Sequence, residues 1–267
     1  MTDVIGQKTV EVFGLPPRAK SKVWMVRLAS MLLVLSGWQV VGRRVSPVFL
    51  SYPTAIGKAA IAMTLSGELL RALAISLETL MIGFVSAATL GILLGLAIGR
   101  YRMVDAATDW LINALYATPL VAVIPLVILW FGLGEAAKLF IIVILAIFPV
   151  IINTAAGVRN VPQSLIDVST AFAANERQVF TKIILPAAVP YIMTGLRLGI
   201  GRAILAMVVA EFFTAITGLG AVIVKYGNQY DTASMFVPIL VLMVLGIVLT
   251  SLVRRAEESF ARWRDVD

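Results

Sequence analysis

The chain has 267 residues, of which 60% are hydrophobic and 14% are charged, whereas soluble domains are typically about 45–50% apolar and about 25% charged. A soluble fold cannot bury this much apolar surface, so the composition predicts an integral membrane protein. The sequence contains no Cys and no His, which excludes disulfides, Cys/His metal sites and histidine-based acid–base catalysis.

Six apolar runs are long enough to cross a bilayer as helices, since a spanning helix needs about 20 residues. Pro119 and Pro125 in the third run and Pro149 in the fourth predict kinks, because proline removes a backbone hydrogen bond. In chain order the runs are residues 23–41, 79–99, 110–134, 139–158, 191–213 and 235–253.

The net charge is +7 and the basic residues flank the apolar runs, a pattern that indicates membrane orientation and excludes nucleic acid as the expected partner. Leaving aside Arg197 and Arg202 within the fifth run, fourteen basic residues fall on the side of the termini and six on the other. Positively charged segments stay in the cytoplasm. Both termini are therefore predicted to be cytoplasmic.

The longest internal polar segment is residues 159–189, between the fourth and fifth runs. Ser164 is a candidate N-cap for a short helix over residues 165–174, and Asn175 is expected to end that helix in the left-handed conformation. A second helix is predicted over residues 176–184. The small and apolar residues of the first helix suit docking into another protein's groove, and they suit an ordinary amphipathic connector equally well.

Seven residues of this segment occur at a characteristic spacing: Asp167, Val168, Ser169, Ala173, Ile183, Leu185 and Pro186. The spacing resembles the EAA motif of ATP-binding-cassette importer permeases, which reads Glu-Ala-Ala, three variable residues, Gly, nine variable residues and Ile-x-Leu-Pro. The resemblance implies that the short helix, with Ala171 and Phe172, is the coupling helix that docks on an ATPase. Because Ala173 replaces the family's Gly, the ATPase contact there is expected to be looser.

Further segments resemble the nitrate, sulfonate and taurine branch of these permeases, so that the similarity extends over about residues 45–253. The segments are residues 50–54, 125–135, 194–199, 209–212 and 217–220. The solute stays open at this point among nitrate, a sulfonate, taurine and a nitrogenous heterocycle.

The resemblance implies an all-α integral membrane protein with six transmembrane helices and the type I importer permease fold, in the bacterial inner membrane. It implies as partners a second copy of the chain, two cytoplasmic ATPase subunits that bind ATP and Mg, and a periplasmic or lipid-anchored binding protein, with no cofactor or metal in this chain. The expected segments are a cytoplasmic tail (1–22), a first transmembrane helix (23–43), a periplasmic segment (44–70), a five-helix core (71–254) that includes the 159–189 loop, and a cytoplasmic C-terminal tail (255–267).

ATP hydrolysis is not expected in this chain. A phosphate-binding P-loop needs a glycine-rich turn that ends in Gly-Lys-Ser/Thr. The only Gly-Lys pair is Gly57-Lys58. Ala59 follows it in place of Ser or Thr, and no glycine lies upstream at the required spacing.

Two stripes of small residues lie in the second and fifth runs: Gly91, Gly95, Gly99, Gly195 and Gly199. Glycine at this spacing lets helix backbones approach closely in lipid. The stripes indicate generic helix packing, a sliding interface for alternating access, or close packing between two copies of the chain.

Arg202 lies close to the middle of the fifth run, where a lipid-exposed charge costs at least about 2.5–3.5 kcal/mol. We consider three roles: a buried pair with Glu78 or Glu211, a pathway-lining contact with an anionic substrate, and a subunit interface. Arg197 lies near the cytoplasmic end and is expected to reach the interface.

Two other classes of protein are considered. A secondary transporter or a channel would work without an ATPase partner, but a secondary transporter predicts inverted repeats and intramembrane carboxylates. The sequence shows no repeat, and Glu78 and Glu211 lie near the ends of their runs. A membrane-embedded enzyme is disfavoured, because the sequence has no His, Cys or clustered carboxylates to serve as catalytic groups.

Overall fold

The computed structural model describes residues 17–214 and 216–261, and these residues form helices joined by short turns. A 3₁₀ turn, Leu120–Val123, joins α4 to α5, and a π-helical turn, Phe180–Ile184, joins α8 to α9. Parts of both predicted tails, residues 1–16 and 262–267, lie outside the described residues. The helices are α1 (Pro17–Arg44), α2 (Pro53–Leu65), α3 (Glu68–Arg100), α4 (Arg102–Ala117), α5 (Ile124–Phe131), α6 (Glu135–Arg159), α7 (Gln163–Ala171), α8 (Glu176–Val179), α9 (Leu185–Thr214), α10 (Leu219–Asn228) and α11 (Thr232–Ala261).

Five helical segments of the described chain can each cross a membrane, and α4 with α5 supplies the sixth as a broken span. The all-α prediction with six spans is confirmed. The helices are longer than the apolar runs, because their charged ends continue beyond the bilayer. The 33 residues of α3 correspond to about 50 Å of helix, whereas the hydrocarbon core is about 30 Å thick.

The third span is broken between α4 and α5, which meet at an angle of 86°. The break lies at Thr118 and Pro119, where the Thr118 backbone is extended. Pro119 therefore produces a break, which is more than the kink predicted for it. Pro125 lies in the first turn of α5, where a missing N–H costs nothing, and it does not kink the chain.

The centre of the fold is α6, which packs between α3 and α9. Of its most apolar stretch, 56% is buried, against 6% for α1 and 11% for α11. Pro149 lies inside α6, and the Asn153 side chain donates to its carbonyl oxygen at 2.7 Å. The peripheral helix α1 turns most of its apolar side chains outward, and α11 exposes one apolar face that includes Met243, Ile247 and Leu252, as expected of surfaces in contact with lipid.

Both glycine stripes pack against α6 of the same chain. A Cβ atom added at Gly95 would lie 2.6 Å from the Thr154 Cβ and 2.8 Å from the Ile151 carbonyl oxygen. The other members of the stripes make similarly close approaches, Gly91 and Gly199 to Val150, Gly99 to Val158, and Gly195 to Asn153. These surfaces are therefore occupied within one chain and are not available for packing between two copies. This corrects the expectation that the stripes bring two copies of the chain together.

The first helix is attached to the rest of the described chain mainly near its C-terminal end. The Trp38 indole N–H donates to the Ser51 carbonyl oxygen at 2.9 Å, and the Gln39 amide donates to the Thr54 hydroxyl at 3.0 Å. Midway along α1, Leu33 is 75% exposed. The first span is thus an outer helix that depends on the segment containing α2 for its position.

We expect Gly95→Ala to destabilise the fold by about 1–3 kcal/mol, because the new methyl group would overlap Thr154 and the α6 backbone. The measurement is the unfolding temperature of the purified protein in detergent. Gly246→Ala is the matched control, since a Cβ there meets nothing within 4 Å. Equal unfolding temperatures for the two variants would contradict the described α3–α6 packing.

Candidate functional site

The short helix α7 has two different faces. Ile166 and Ser169 face the protein, where Ile166 packs in an apolar cluster with residues of α6 and α9 and Ser169 is only 5% exposed. Leu165, Val168 and Phe172 form an outer stripe at helical spacing, and Phe172 is 82% exposed. An apolar stripe of this kind outside the bilayer is typical of a docking surface for a helix-binding groove.

The structure distributes the residues of the predicted coupling motif over both faces of this region. Ser169 is buried against the protein, and Ile183 and Leu185 are half-buried. Asp167 accepts a hydrogen bond from the Gln163 amide at 3.0 Å. The exposed members are Asp167, Val168, Ala171, Phe172, Ala173 and Pro186. The sequence pattern did not single out Leu165, although its spacing from Val168 and Phe172 was readable.

The boundaries of α7 differ from those predicted. The helix begins at Gln163, after Pro162, and Ser164 makes no capping hydrogen bond. Asn175 does not end this helix. Its side-chain oxygen accepts from the Gln178 N–H at 2.9 Å and caps the start of α8, and the Asn175 N–H donates to the Gln178 side-chain oxygen at 2.9 Å.

The left-handed residue of the loop is Ala173, with φ of 51°. It occupies the position at which the family motif has Gly. Glycine adopts this conformation without strain, whereas an L-residue with a Cβ is disfavoured there. The structure thus gives a conformational reason for glycine at this position, besides the close approach to the ATPase considered from the sequence.

The second helix of the loop does not stop before the fifth span. The π-helical turn between α8 and α9 carries the chain on as one segment, Glu176–Thr214. In this turn the Leu185 N–H donates to the Phe180 carbonyl, five residues back. The wider turn accommodates Pro186, whose ring would otherwise collide with the Lys182 carbonyl.

Arg197 forms an ion pair and does not simply extend toward the interface. Its guanidinium lies 3.2 Å from a carboxylate oxygen of Glu257 on α11. The Thr194 hydroxyl donates to the other oxygen of Glu257 at 3.1 Å. This pair joins α9 to the C-terminal part of α11.

Glu211 lies in a buried cluster and does not pair with Arg202. Its side chain is fully buried and accepts hydrogen bonds from the Ser76 hydroxyl at 2.6 Å and the Gly220 N–H at 2.7 Å. The Ser76 oxygen in turn accepts from the Leu219 N–H at 2.8 Å. These bonds connect α3, the C-terminal end of α9 and the start of α10.

Lys138 belongs to a second polar cluster beside the first, although the sequence indicated only an external loop charge. The side chain is 2% exposed, and its ammonium donates to Glu135 at 2.9 Å and to the Thr217 hydroxyl at 2.7 Å. The Thr79 hydroxyl donates to the other oxygen of Glu135 at 3.1 Å. Together the two clusters fix the loop over residues 217–220.

Arg202 faces outward from the described chain, beside the break in the third span. Glu78 is also exposed, in the N-terminal half of α3. Among the residues that the structure describes, no carboxylate forms an ion pair with Arg202, so the proposed pair with Glu78 or Glu211 is wrong within one chain.

We expect Ser76→Ala to destabilise the protein by about 1–3 kcal/mol, because it removes one donor from the buried Glu211 carboxylate and the acceptor of the Leu219 N–H. Thermal unfolding in detergent measures the effect. Ser86→Ala is the control on the same helix, since the Ser86 hydroxyl donates only to the Ile82 carbonyl of its own turn. A Ser76 variant no less stable than this control would show that the cluster contributes nothing to the fold.

Comparison with known proteins identifies the family. Residues 87–262 match the family described as the binding-protein-dependent transport system inner membrane component. An aliphatic sulfonates transport permease of Bacillus subtilis (strain 168) is 36% identical over 251 residues, which cover 93% of this chain and 91% of the relative. A nitrate import permease of Leptolyngbya laminosa is 36% identical over 181 residues, covering 68% and 65% of the two chains.

The fold has a counterpart of known structure. A chain from the crystal structure of an amino acid ABC transporter aligns with a TM-score of 0.55 and 18% identity, covering 76% of this chain and 97% of that one. The resemblance read from the sequence is confirmed. The chain therefore belongs to the inner-membrane components of binding-protein-dependent transport systems, as the multi-pass permease subunit of an ATP-driven importer whose ATPase is a separate subunit.

Proposed function

We propose that this permease forms the membrane pathway for a small anionic solute of the sulfonate or nitrate class, delivered by the external binding protein. The relatives named for sulfonate and nitrate transport support the solute class. The observation that carries the role of the chain is the outer stripe of α7, which offers Leu165, Val168 and Phe172 to a cytoplasmic partner.

The external surface supports an anionic solute. A cavity of about 820 Å³ lies between the start of α3 and α10, and its charged residues are Glu68, Arg71 and Lys225. Glu68 accepts hydrogen bonds from the Lys225 ammonium at 2.6 Å and from the Tyr226 hydroxyl at 2.7 Å. The bond to Glu68 raises the pKa of Lys225, so the ammonium stays charged and the cavity carries one net positive charge with Arg71.

The working unit is a homodimer with both termini of each chain in the cytoplasm. One chain supplies one coupling helix, and the sequence has no second loop of this type to fill the second groove of an ATPase dimer. A twofold axis is the usual symmetry of such a pair. The orientation is supported by the fourteen basic residues on the side of the termini.

The mechanism is alternating access. Closure of the ATPase dimer on ATP moves the two α7 helices, and the spans attached to them tilt to open the pathway on the other side. Residues 172–175 join α7 to α8, and α8 and α9 continue as one helical segment, so a displacement of α7 is passed through this short connection to the fifth span. The energy comes from ATP hydrolysis in the ATPase subunit, and the permease supplies the pathway and the α7 surface that contacts that subunit.

We expect Phe172→Ala to weaken binding of the ATPase subunit by about tenfold or more, as is usual for an aromatic anchor at the centre of an interface. Co-elution of the permease with its ATPase, and ATP-driven uptake in proteoliposomes, measure the effect. Phe49→Ala is the control, because Phe49 is 80% exposed but precedes α2 on the external side. Unchanged ATPase binding and uptake in the Phe172 variant would refute α7 as the docking element.

Native mass spectrometry of the solubilised complex tests the homodimer. We expect two copies of this chain with two ATPase subunits, because each α7 occupies one groove. One permease copy per two ATPase subunits, or a different second permease chain, would contradict the proposed homodimer while leaving the coupling helix in place.

A further inference from the structure

Arg202 lies at the middle depth of the membrane on an exposed face. It lines a small cavity with Leu145 and Phe148, which lie close to the midpoint of the 25 residues of α6. Glu211 is nine residues further along the same helix, about 13.5 Å away along the axis. A guanidinium at this depth cannot face acyl chains without a large cost, so its face meets water or protein.

The break in the third span also requires that this face meet water or protein. Thr118 and Pro119 line the cavity with Arg202. Within the described part of the chain, the N–H groups of Leu120 and Val121 have no hydrogen-bond acceptor. Irregular backbone at membrane depth is tolerated only where protein covers it or where it lines a water-filled cavity. Two independent features therefore assign this face to the pathway side of the molecule.

The cavity contains donors suited to an anion and no acidic side chain. Its volume is about 150 Å³ in a single chain. Tyr116 is held beside Phe148, with ring centroids 6.5 Å apart, and among the described residues its hydroxyl makes no hydrogen bond. The Thr118 hydroxyl already donates to the Ala114 carbonyl at 2.8 Å. The available side-chain donors are thus the Arg202 guanidinium and the Tyr116 hydroxyl.

We propose that Arg202 and Tyr116 form a transient binding site, within the membrane pathway, for the oxyanion head of the transported solute. The planar guanidinium donates two parallel hydrogen bonds to a sulfonate or nitrate group, and the phenol donates a third. One positive charge matches the single negative charge of these anions. Because the site offers only one charge and leaves the anion partly hydrated, it binds the solute weakly enough to release it. This inference rests on the proposed transport of small anions.

The test uses proteoliposomes that contain the permease, its ATPase and its binding protein, with nitrate, taurine and butanesulfonate as probes. For the anion that the unaltered complex transports, we expect Arg202→Gln to lower the uptake rate at saturating binding protein by about tenfold or more. Arg202→Lys keeps part of the rate, and Tyr116→Phe lowers it by a smaller factor. Assembly and affinity for the binding protein stay unchanged, as does uptake in the control Lys58→Gln, which removes an exposed external charge.

The outcomes separate the two proposals. No ATP-dependent uptake of any probe by the unaltered complex would refute the proposed solute class. If the unaltered complex takes up a probe and the Arg202→Gln variant takes it up at a rate within twofold of that, the site is refuted and the proposed solute class stands. Loss of assembly in Arg202→Gln would show that Arg202 holds the subunits together, and would also overturn the site.

A second measurement does not depend on transport. The chain has no native cysteine, so a single introduced cysteine is labelled without background from this subunit. We expect Tyr116→Cys and Arg202→Cys to react with a membrane-impermeant anionic methanethiosulfonate, because a water-filled pathway ionises the thiol and admits a reagent with the charge of the proposed solute. Leu33→Cys on the outer helix α1 serves as the lipid-facing control and stays unreactive. Equal inertness at all three positions would overturn the pathway assignment.

Discussion

The close approach of α3 and α9 to α6 is the contact on which the other elements depend. Lipid gives packed helices no hydrophobic advantage, so their association rests on van der Waals contact at short range. Gly95 and Gly195 remove the side chains that would hold the backbones apart. The remaining spans are attached around this centre, α1 through its C-terminal end and α11 through contacts that include the Arg197–Glu257 pair. The three inner helices are therefore the layer against which the other spans are placed.

The apolar runs predicted the spans well, because a bilayer imposes their length and composition. A kink at Pro119 was predicted, but the complete break and its 86° angle were not. Asn175 is a residue whose local sequence is compatible with two structures. The same residue suits a helix end or a helix start, and only Gln178, three residues later, distinguishes the start. That signal was present in the sequence and was not used.

The buried polar clusters could not be derived from the sequence. Lys138 hydrogen-bonds Thr217, 79 residues further along the chain, and Ser76 meets Glu211 across 135 residues. Composition assigns a lysine next to an apolar run to a loop, because charged residues are rarely buried alone. Its burial depends on partners that only the packing of α3, α6 and α9 brings together. The same holds for Arg202, whose neighbours at the α4–α5 break come from other helices.

The continuity of α8 with α9 has a mechanical consequence. From Glu176 to Glu211 the chain is a helical rod of 35 residue steps, about 52 Å in length. A tilt of one degree about its N-terminal end moves the far end by about 1 Å, which is already large compared with the tolerance of a hydrogen bond. Glu211 at that end holds the Gly220 N–H at 2.7 Å. The loop over residues 217–220 must therefore move with the rod, so that one lever joins the segment that follows α7 to the loop at its opposite end.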